Sequence, residues 1–374
     1  MKGFEDLESL ALRFLEIPSP IGEERALADA CETWIREAGV PCIRAGDNLA
    51  FGPEARGDRP RLLLLGHLDT VPPQGENRPR LEGDRIHGLG ASDMKCADAL
   101  ILRAVVRAAT EPCRYDLQAV FYAREEGPFE ESGLPEIAEA APGFFQDVDL
   151  AIAMEPTGGA IECGCLGTLH AEVRLRGRAA HSGRPWQGEN AIHKAAPLLE
   201  ALSRFGIREC VFDGLRFRES CSATMIRFEG ARNVIPSSCT VNLNFRFAPD
   251  RDDEEAAAFL RSFVEGVYGK EAMSGGGVSV EIADLCPAGR VCADHPLLRE
   301  LEAAAGVELE RRAKEAWTDV GRLSRWGIDA VNLGPGEGSQ AHQAGEWCSR
   351  TRLRETAARF DAWLFGKGGR TDGV

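Results

Sequence analysis

No stretch of the 374-residue chain approaches the roughly 18 consecutive apolar residues that a membrane-spanning helix needs, so no membrane span is expected. Positive charge is in deficit. Lys and Arg number 44 against 59 Asp and Glu, a formal net charge of −15, which argues against nucleic acid or an anionic membrane surface as a partner. An anionic substrate would then need arginines that reverse the field locally. The opening MKGFEDLESLALRFLEIPSP carries acids where a secretory signal would carry positive charge, and it lacks a small-residue cleavage site. A cytoplasmic protein is therefore expected. Cys163-x-Cys165 has no second cysteine pair to complete a four-thiolate metal site. The 12 cysteines, spread over this length, do not form the dense framework of a secreted disulfide scaffold. Cys31, Cys210 and Cys239 lie inside apolar segments and read as buried thiols. There is no internal repeat and no low-complexity segment.

What the chain does have is enough apolar residue, 44%, to fill one large core or two ordinary ones. Leu62–Leu65 is apolar on both faces and is closed by Gly66, the pattern of a parallel strand buried between helices. His67 and Asp69 follow it and, at i and i+2 in extended chain, leave the strand end together. After the Gly88-Leu89-Gly90 turn, Asp93 to Arg107 reads as a helix capped by Ser92 or Asp93. Two further buried strands are predicted. Asp116–Ala123 runs into Glu125 and Glu126, and Val148–Met154 into Glu155. A fourth, Asp329–Leu333, precedes Gly334, Gly336 and His342. Helices are expected over 4–16, 22–39, 132–141, 297–305, 319–326 and 353–365, with a short strand over 41–51 and a disordered tail from Gly366.

Between them the pattern changes. Leu169–Arg176, Ser222–Phe228, Thr240–Phe247 and Val278–Ala283 alternate apolar and polar residues, as strands with one wet face do. Helical patterns cover 190–205 and 252–268. The order strand–helix–strand–strand–helix–strand predicts a small α+β sandwich over 167–285, inserted into an α/β domain formed by 1–166 and 286–374.

Four segments that read as buried strands end in acids or imidazoles, and within a common sheet they are expected to converge at the strand carboxyl ends, where open α/β folds place their sites. Two His with several carboxylates and no thiolate suit zinc, cobalt or manganese in a hydrolytic site. Five ligands exceed what one catalytic ion takes. Two ions sharing a carboxylate fit better and would make water more acidic.

In order along the chain, GHLDTVP (66–72), GLGASDMK (88–95), REEG (124–127), MEPT (154–157), AAHSGRPWQGENAI (179–192), RNVIP (232–236) and GPGEGSQAH (334–342) resemble the M20 family of dizinc amidohydrolases and peptidases. VFDGLRFRES, NFRFAPDR and AWTDVGRLSRWGI draw the resemblance toward the family's desuccinylase branch. The resemblance runs from about residue 5 to 365. It implies a zinc-exopeptidase-like fold, a mostly parallel sheet flanked by helices, with a ferredoxin-like lid and dimerisation insert. It also implies two divalent ions, zinc before cobalt or manganese, and a homodimer formed through the insert. The implied substrate is a small anionic N-acyl amino acid, N-succinyl-LL-2,6-diaminopimelate. Acetylornithine deacetylation, aminoacylase and peptidase activities are the alternatives within the family.

By the same resemblance the metal ligands fall on His67, Asp93, Glu126, Glu155 and His342, with Asp93 shared. Asp69 would orient His67. Glu125 would be the general base, its alternative being a further metal ligand. His181 would reach the other subunit's site and help hold the oxyanion. Asn233, Arg246, Thr318, Gly334 and Gly336 would contact substrate. The chain departs from the family pattern at Leu89, usually Arg, and at Cys96, usually Gly. Neither position is a ligand.

Overall fold

The computed structural model describes residues 6–53, 57–75 and 77–366; the predicted disordered tail beyond Gly366 lies outside them. The described chain divides into two compact units. The first holds the chain up to Gly164, then Arg290–Ala313 and everything from Thr318. The second holds Cys165–Gly289 and Lys314–Trp317, where the sequence predicts an insert of 167–285.

An eight-stranded sheet forms the first unit. Its order is Cys42–Ala45, Asn48–Phe51, Asp116–Tyr122, Arg61–His67, Leu150–Pro156, Ala330–Gly334, Ile161–Cys163, Arg311–Ala313. The four strands from Asp116–Tyr122 to Ala330–Gly334 run parallel to one another, and every residue in them is buried. That is why the Leu62–Leu65 segment shows no polar alternation: both faces are covered. Cys96–Ala108 packs against Leu7–Leu15 and Arg350–Phe365, and Arg350–Phe365 also packs on Pro296–Ala305. Because the strands are parallel, their carboxyl ends lie on one edge.

The 41–51 segment is two strands joined at Gly46-Asp47. The helix expected from Asp93 begins only at Cys96. Asp93 is extended, at φ −125° and ψ 89°, so neither it nor Ser92 caps the helix. The Asp93–Met94 peptide is cis.

The second unit is a five-stranded antiparallel sheet in the order Arg208–Phe212, Leu215–Arg227, Ser238–Phe247, Gly167–Arg176, Val278–Cys286. Ser238–Phe247 alternates along its length, and its buried residues Val241, Leu243, Phe245 and Phe247 join Leu198, Leu260 and Val264 from the helices in one core. Asp252 caps Asp253–Tyr268 in a reciprocal box with Glu255. The strand Arg208–Phe212 was not anticipated. It forms a hairpin through Asp213-Gly214, both at positive φ, and Asp-Gly between apolar residues is a strong hairpin signal.

Candidate metal centre

His67, Asp93, Glu125, Glu126, Glu155 and His342 all belong to the first unit. The carboxyl ends of the four parallel strands bring them together. Three sets of donor atoms form there, each with its atoms within 4.8 Å of one another: His67, Asp93 and Glu155; Asp93, Glu126 and His342; and His67, Glu125 and Glu126. The first two share Asp93. Its Oδ1 lies 3.1 Å from His67 Nε2, and its Oδ2 lies 3.6 Å from His342 Nε2. His342 Nε2 also sits 2.8 Å from Glu126 Oε1. One carboxylate thus turns a different oxygen to each imidazole.

His67 is fully buried and its tautomer is set by its own loop. Nδ1 lies 3.0 Å from the main-chain oxygen of Asp69, and a carbonyl can only accept. Nδ1 therefore carries the proton, and Nε2 faces the acids. Burial alone would lower the His67 pKa, but Asp93, Asp69 and Glu125 together hold it well above the usual range. Glu126 holds His342 up at about 9 against a smaller burial effect. Burial, and then the Glu155 carboxylate, push Glu125 well above the ordinary carboxylate range. Acids crowded this closely call for positive charge, and they draw both imidazoles toward the protonated form. Divalent ions compete for the same nitrogens and oxygens. A donor set of imidazole and carboxylate without thiolate fits zinc, cobalt or manganese.

The carboxylate of Asp69 has a further duty besides its place beside the His67 ring. It stands 3.6 Å from His67 Nδ1. Its Oδ1 accepts the Glu125 N–H at 3.0 Å and its Oδ2 the Glu126 N–H at 2.9 Å. It orients His67 through its main-chain oxygen and fixes the Glu125-Glu126 turn through its side chain. Arg124, at the head of that turn, is at φ 60°. Beyond the turn, Arg322 donates to the Phe129 carbonyl at 2.6 Å and to Asp319 at 2.8 Å, and its guanidinium stacks on the Phe129 ring.

Gly336 approaches the Asp93 loop closely. A Cβ there would meet the Ser92 carbonyl oxygen at 2.1 Å and Pro156 Cβ at 2.9 Å. Gly334 donates to Thr157 Oγ1 at 3.2 Å. Thr318 is buried and its carbonyl accepts from Gly321. His181, Asn233 and Arg246 belong to the second unit. His181 is exposed on a two-residue strand paired with Val234–Ile235. Its Nδ1 accepts the Gly183 N–H at 3.0 Å. A main-chain amide can only donate, so the neutral ring carries its proton on Nε2. Asn233 accepts the Ser182 N–H through its main-chain oxygen. Arg246 is half-buried and donates to Asn244 Oδ1 and Thr168 Oγ1. No carboxylate pairs with it among the described residues, and burial lowers its pKa.

Two residues were missed from the sequence. Asp319 adds a buried carboxylate whose charge reaches Glu125. Glu346 accepts three main-chain N–H groups from the Asp93 loop. Neither follows the carboxyl end of a buried strand: Asp319 precedes the Val320–Arg325 helix and Glu346 the short strand Trp347–Ser349. Cys163 and Cys165 are buried thiols and join none of the three donor sets.

Acids and imidazoles gathered at the strand ends of a parallel sheet define a hydrolase with a candidate metal centre. The chain belongs to peptidase family M20/M25/M40, whose model matches residues 63–365. A Mycobacterium tuberculosis protein bearing the name DapE is 38% identical over 335 residues, covering 89% of this chain and 90% of that protein. The succinyl-diaminopimelate desuccinylase of Corynebacterium glutamicum is 35% identical over 358 residues, 95% of each chain. The aminopeptidase PepT of Bacillus cereus shares the fold, with a TM-score of 0.77 at 20% identity, covering 97% of this chain and 99% of its own.

Proposed function

We propose that this chain is a metal-dependent amide hydrolase that converts N-succinyl-LL-2,6-diaminopimelate and water to succinate and LL-2,6-diaminopimelate. The observation that carries the reading is Asp93, whose two oxygens face two imidazoles inside two three-donor sets. His67, Asp93 and Glu155 would hold one divalent ion, and Asp93, Glu126 and His342 the other, with zinc before cobalt or manganese. When bound, such a pair polarises the amide carbonyl and makes water easier to deprotonate.

Glu125 takes the proton from the attacking water and passes it to the leaving amine nitrogen. Its place beside the donor sets and its raised pKa suit a group that must first accept and then give up a proton. His181 from the second subunit of a homodimer donates Nε2–H to the carbonyl oxygen as that oxygen gains charge. The bond from Gly183 to Nδ1 supports this role, because it leaves the proton of the neutral ring on Nε2. Arg246 takes a substrate carboxylate, which its lack of an acid partner favours. Asn233, next to the His181 loop, assists it, while Thr318, Gly334 and Gly336 shape the pocket. The named substrate follows the Corynebacterium and Mycobacterium relatives. The inserted unit serves as lid and dimer contact. A cytoplasmic location agrees with cysteines spread singly through the core rather than in a dense framework.

The test is turnover on N-succinyl-diaminopimelate, N-acetylornithine and a dipeptide panel, with metal content measured on the same sample. The expected result is about two ions per chain and a preference for the succinyl substrate of at least ~100-fold, of the order that a few pocket contacts provide. Comparable rates on all three would end the narrow assignment. Full activity after chelation would end the metal reading.

A further inference from the structure

Glu346 has no part in the chemistry above, yet it grips the loop on which that chemistry depends. It is 2% exposed. Its Oε2 accepts the Gly90 N–H at 2.7 Å, and its Oε1 accepts those of Ser92 at 2.7 Å and Asp93 at 2.9 Å. The residues lie 253 positions apart in sequence. A helix start leaves its first amides for a capping side chain or water. Here the segment before Cys96 departs from helical geometry at Asp93 and Met94, and the helix has no side-chain cap. The amides that one buried carboxylate collects belong to this non-helical lead-in, Gly90, Ser92 and Asp93, and not to the helix itself.

We propose that Glu346 is a positioning residue for the shared metal ligand. By holding the amides of Gly90, Ser92 and Asp93 it fixes where the Asp93 carboxylate lies between His67 and His342, and so sets how tightly the ion pair is held. The inference rests on the dinuclear reading above. Three features of the chain argue for it. Hydrogen bonds from amides to a buried carboxylate are charge-assisted and strong. Glu346 lies on the same loop as His342, so the segment that carries one ligand also clamps the shared one. The other ligand-bearing turn is built in the same way, with the Asp69 carboxylate taking the Glu125 and Glu126 amides.

The test uses Glu346→Gln in the full chain. Gln keeps the size but turns an NH2 donor toward amides that need an acceptor. Zn(II) is titrated into metal-free wild type and variant, the visible absorption of the Co(II)-loaded forms is compared, and the metal-free proteins are melted. A folded variant whose affinity for at least one ion falls by about 10–100-fold, the usual effect of removing a group that orients a ligand, and whose Co(II) spectrum is altered, is the expected result. Unchanged affinity and spectrum in the folded variant would overturn the proposal while leaving the metal reading intact. If Glu346→Gln does not fold, Glu346→Asp, which keeps the charge and shortens the reach, decides by the same two readings. Wild type that binds no ion would overturn the dinuclear reading itself, a result distinct from equal binding by both proteins.

Discussion

Glu125 and Glu126 are neighbours in sequence and share one clamp, since Asp69 holds both amides. They nonetheless stand in different company. Glu126 meets His342 at 2.8 Å within a set that includes Asp93, whereas the neighbours that raise the Glu125 pKa, after burial, are led by Glu155. Glu125 also falls in a donor set with His67 and Glu126, so ligand and base are separable only by substitution. Gln in place of Glu125 keeps a carbonyl oxygen and its volume but cannot take up a proton. Glu125→Gln is expected to lower kcat by about 10³-fold, within the usual range for a positioned general base, with wild-type metal content by elemental analysis. Loss of an ion from the purified variant would make Glu125 a ligand and leave the base unassigned.

Among elements, the four parallel strands were legible because each is apolar on both faces and each ends in a polar residue: His67, Glu125-Glu126, Glu155 and, after a turn, His342. Ser238–Phe247 was legible from alternation, whereas Ser222–Phe228, read the same way, is exposed throughout and the alternating burial of its strand lies upstream, over 215–221. The start of the Cys96–Ala108 helix was not. Ser92 and Asp93 are good capping residues, but their side chains are engaged elsewhere, Ser92 Oγ by the main chain of Glu337 and the Asp93 carboxylate by the two imidazoles, and the contacts with Glu337 and His342, spanning more than 200 residues, leave no local trace. The small sheet of Arg80–Glu82, Arg85–His87 and Trp347–Ser349 escaped for another reason: its three-residue strands are too short for periodicity to show. Gly336 was read as a substrate contact, and the structure shows it wedged against the Ser92 carbonyl and Pro156. The two roles predict different outcomes for Gly336→Ala. A side chain pressed on the Asp93 loop should shift it, costing about 1–3 kcal/mol of stability by overpacking and weakening metal binding. Thermal melting with and without zinc would show this. A raised KM with stability and metal affinity intact would restore the substrate-contact role.

For the whole molecule, the open question is whether one chain makes one complete site. The metal donors are confined to the first unit, and His181, Asn233 and Arg246 to the second. His181 is exposed, and Gly183 occupies its Nδ1, which leaves the proton of the neutral ring on Nε2, an arrangement suited to donation toward something beyond its own loop. If that group belongs to the other copy of a homodimer, catalysis needs Glu125 from one subunit and His181 from its partner. His181→Ala and Glu125→Gln proteins should then each be nearly inactive alone. Mixed under conditions that let subunits exchange, half the dimers become hybrids, and each hybrid holds one site with an intact base and an intact oxyanion donor. Recovery should approach about a quarter of wild-type activity at equal mixing, as random pairing in a two-fold dimer requires. Subunit exchange is checked separately by native mass spectrometry of the mixture. Hybrids that form without recovered activity would place both groups in the same chain's site.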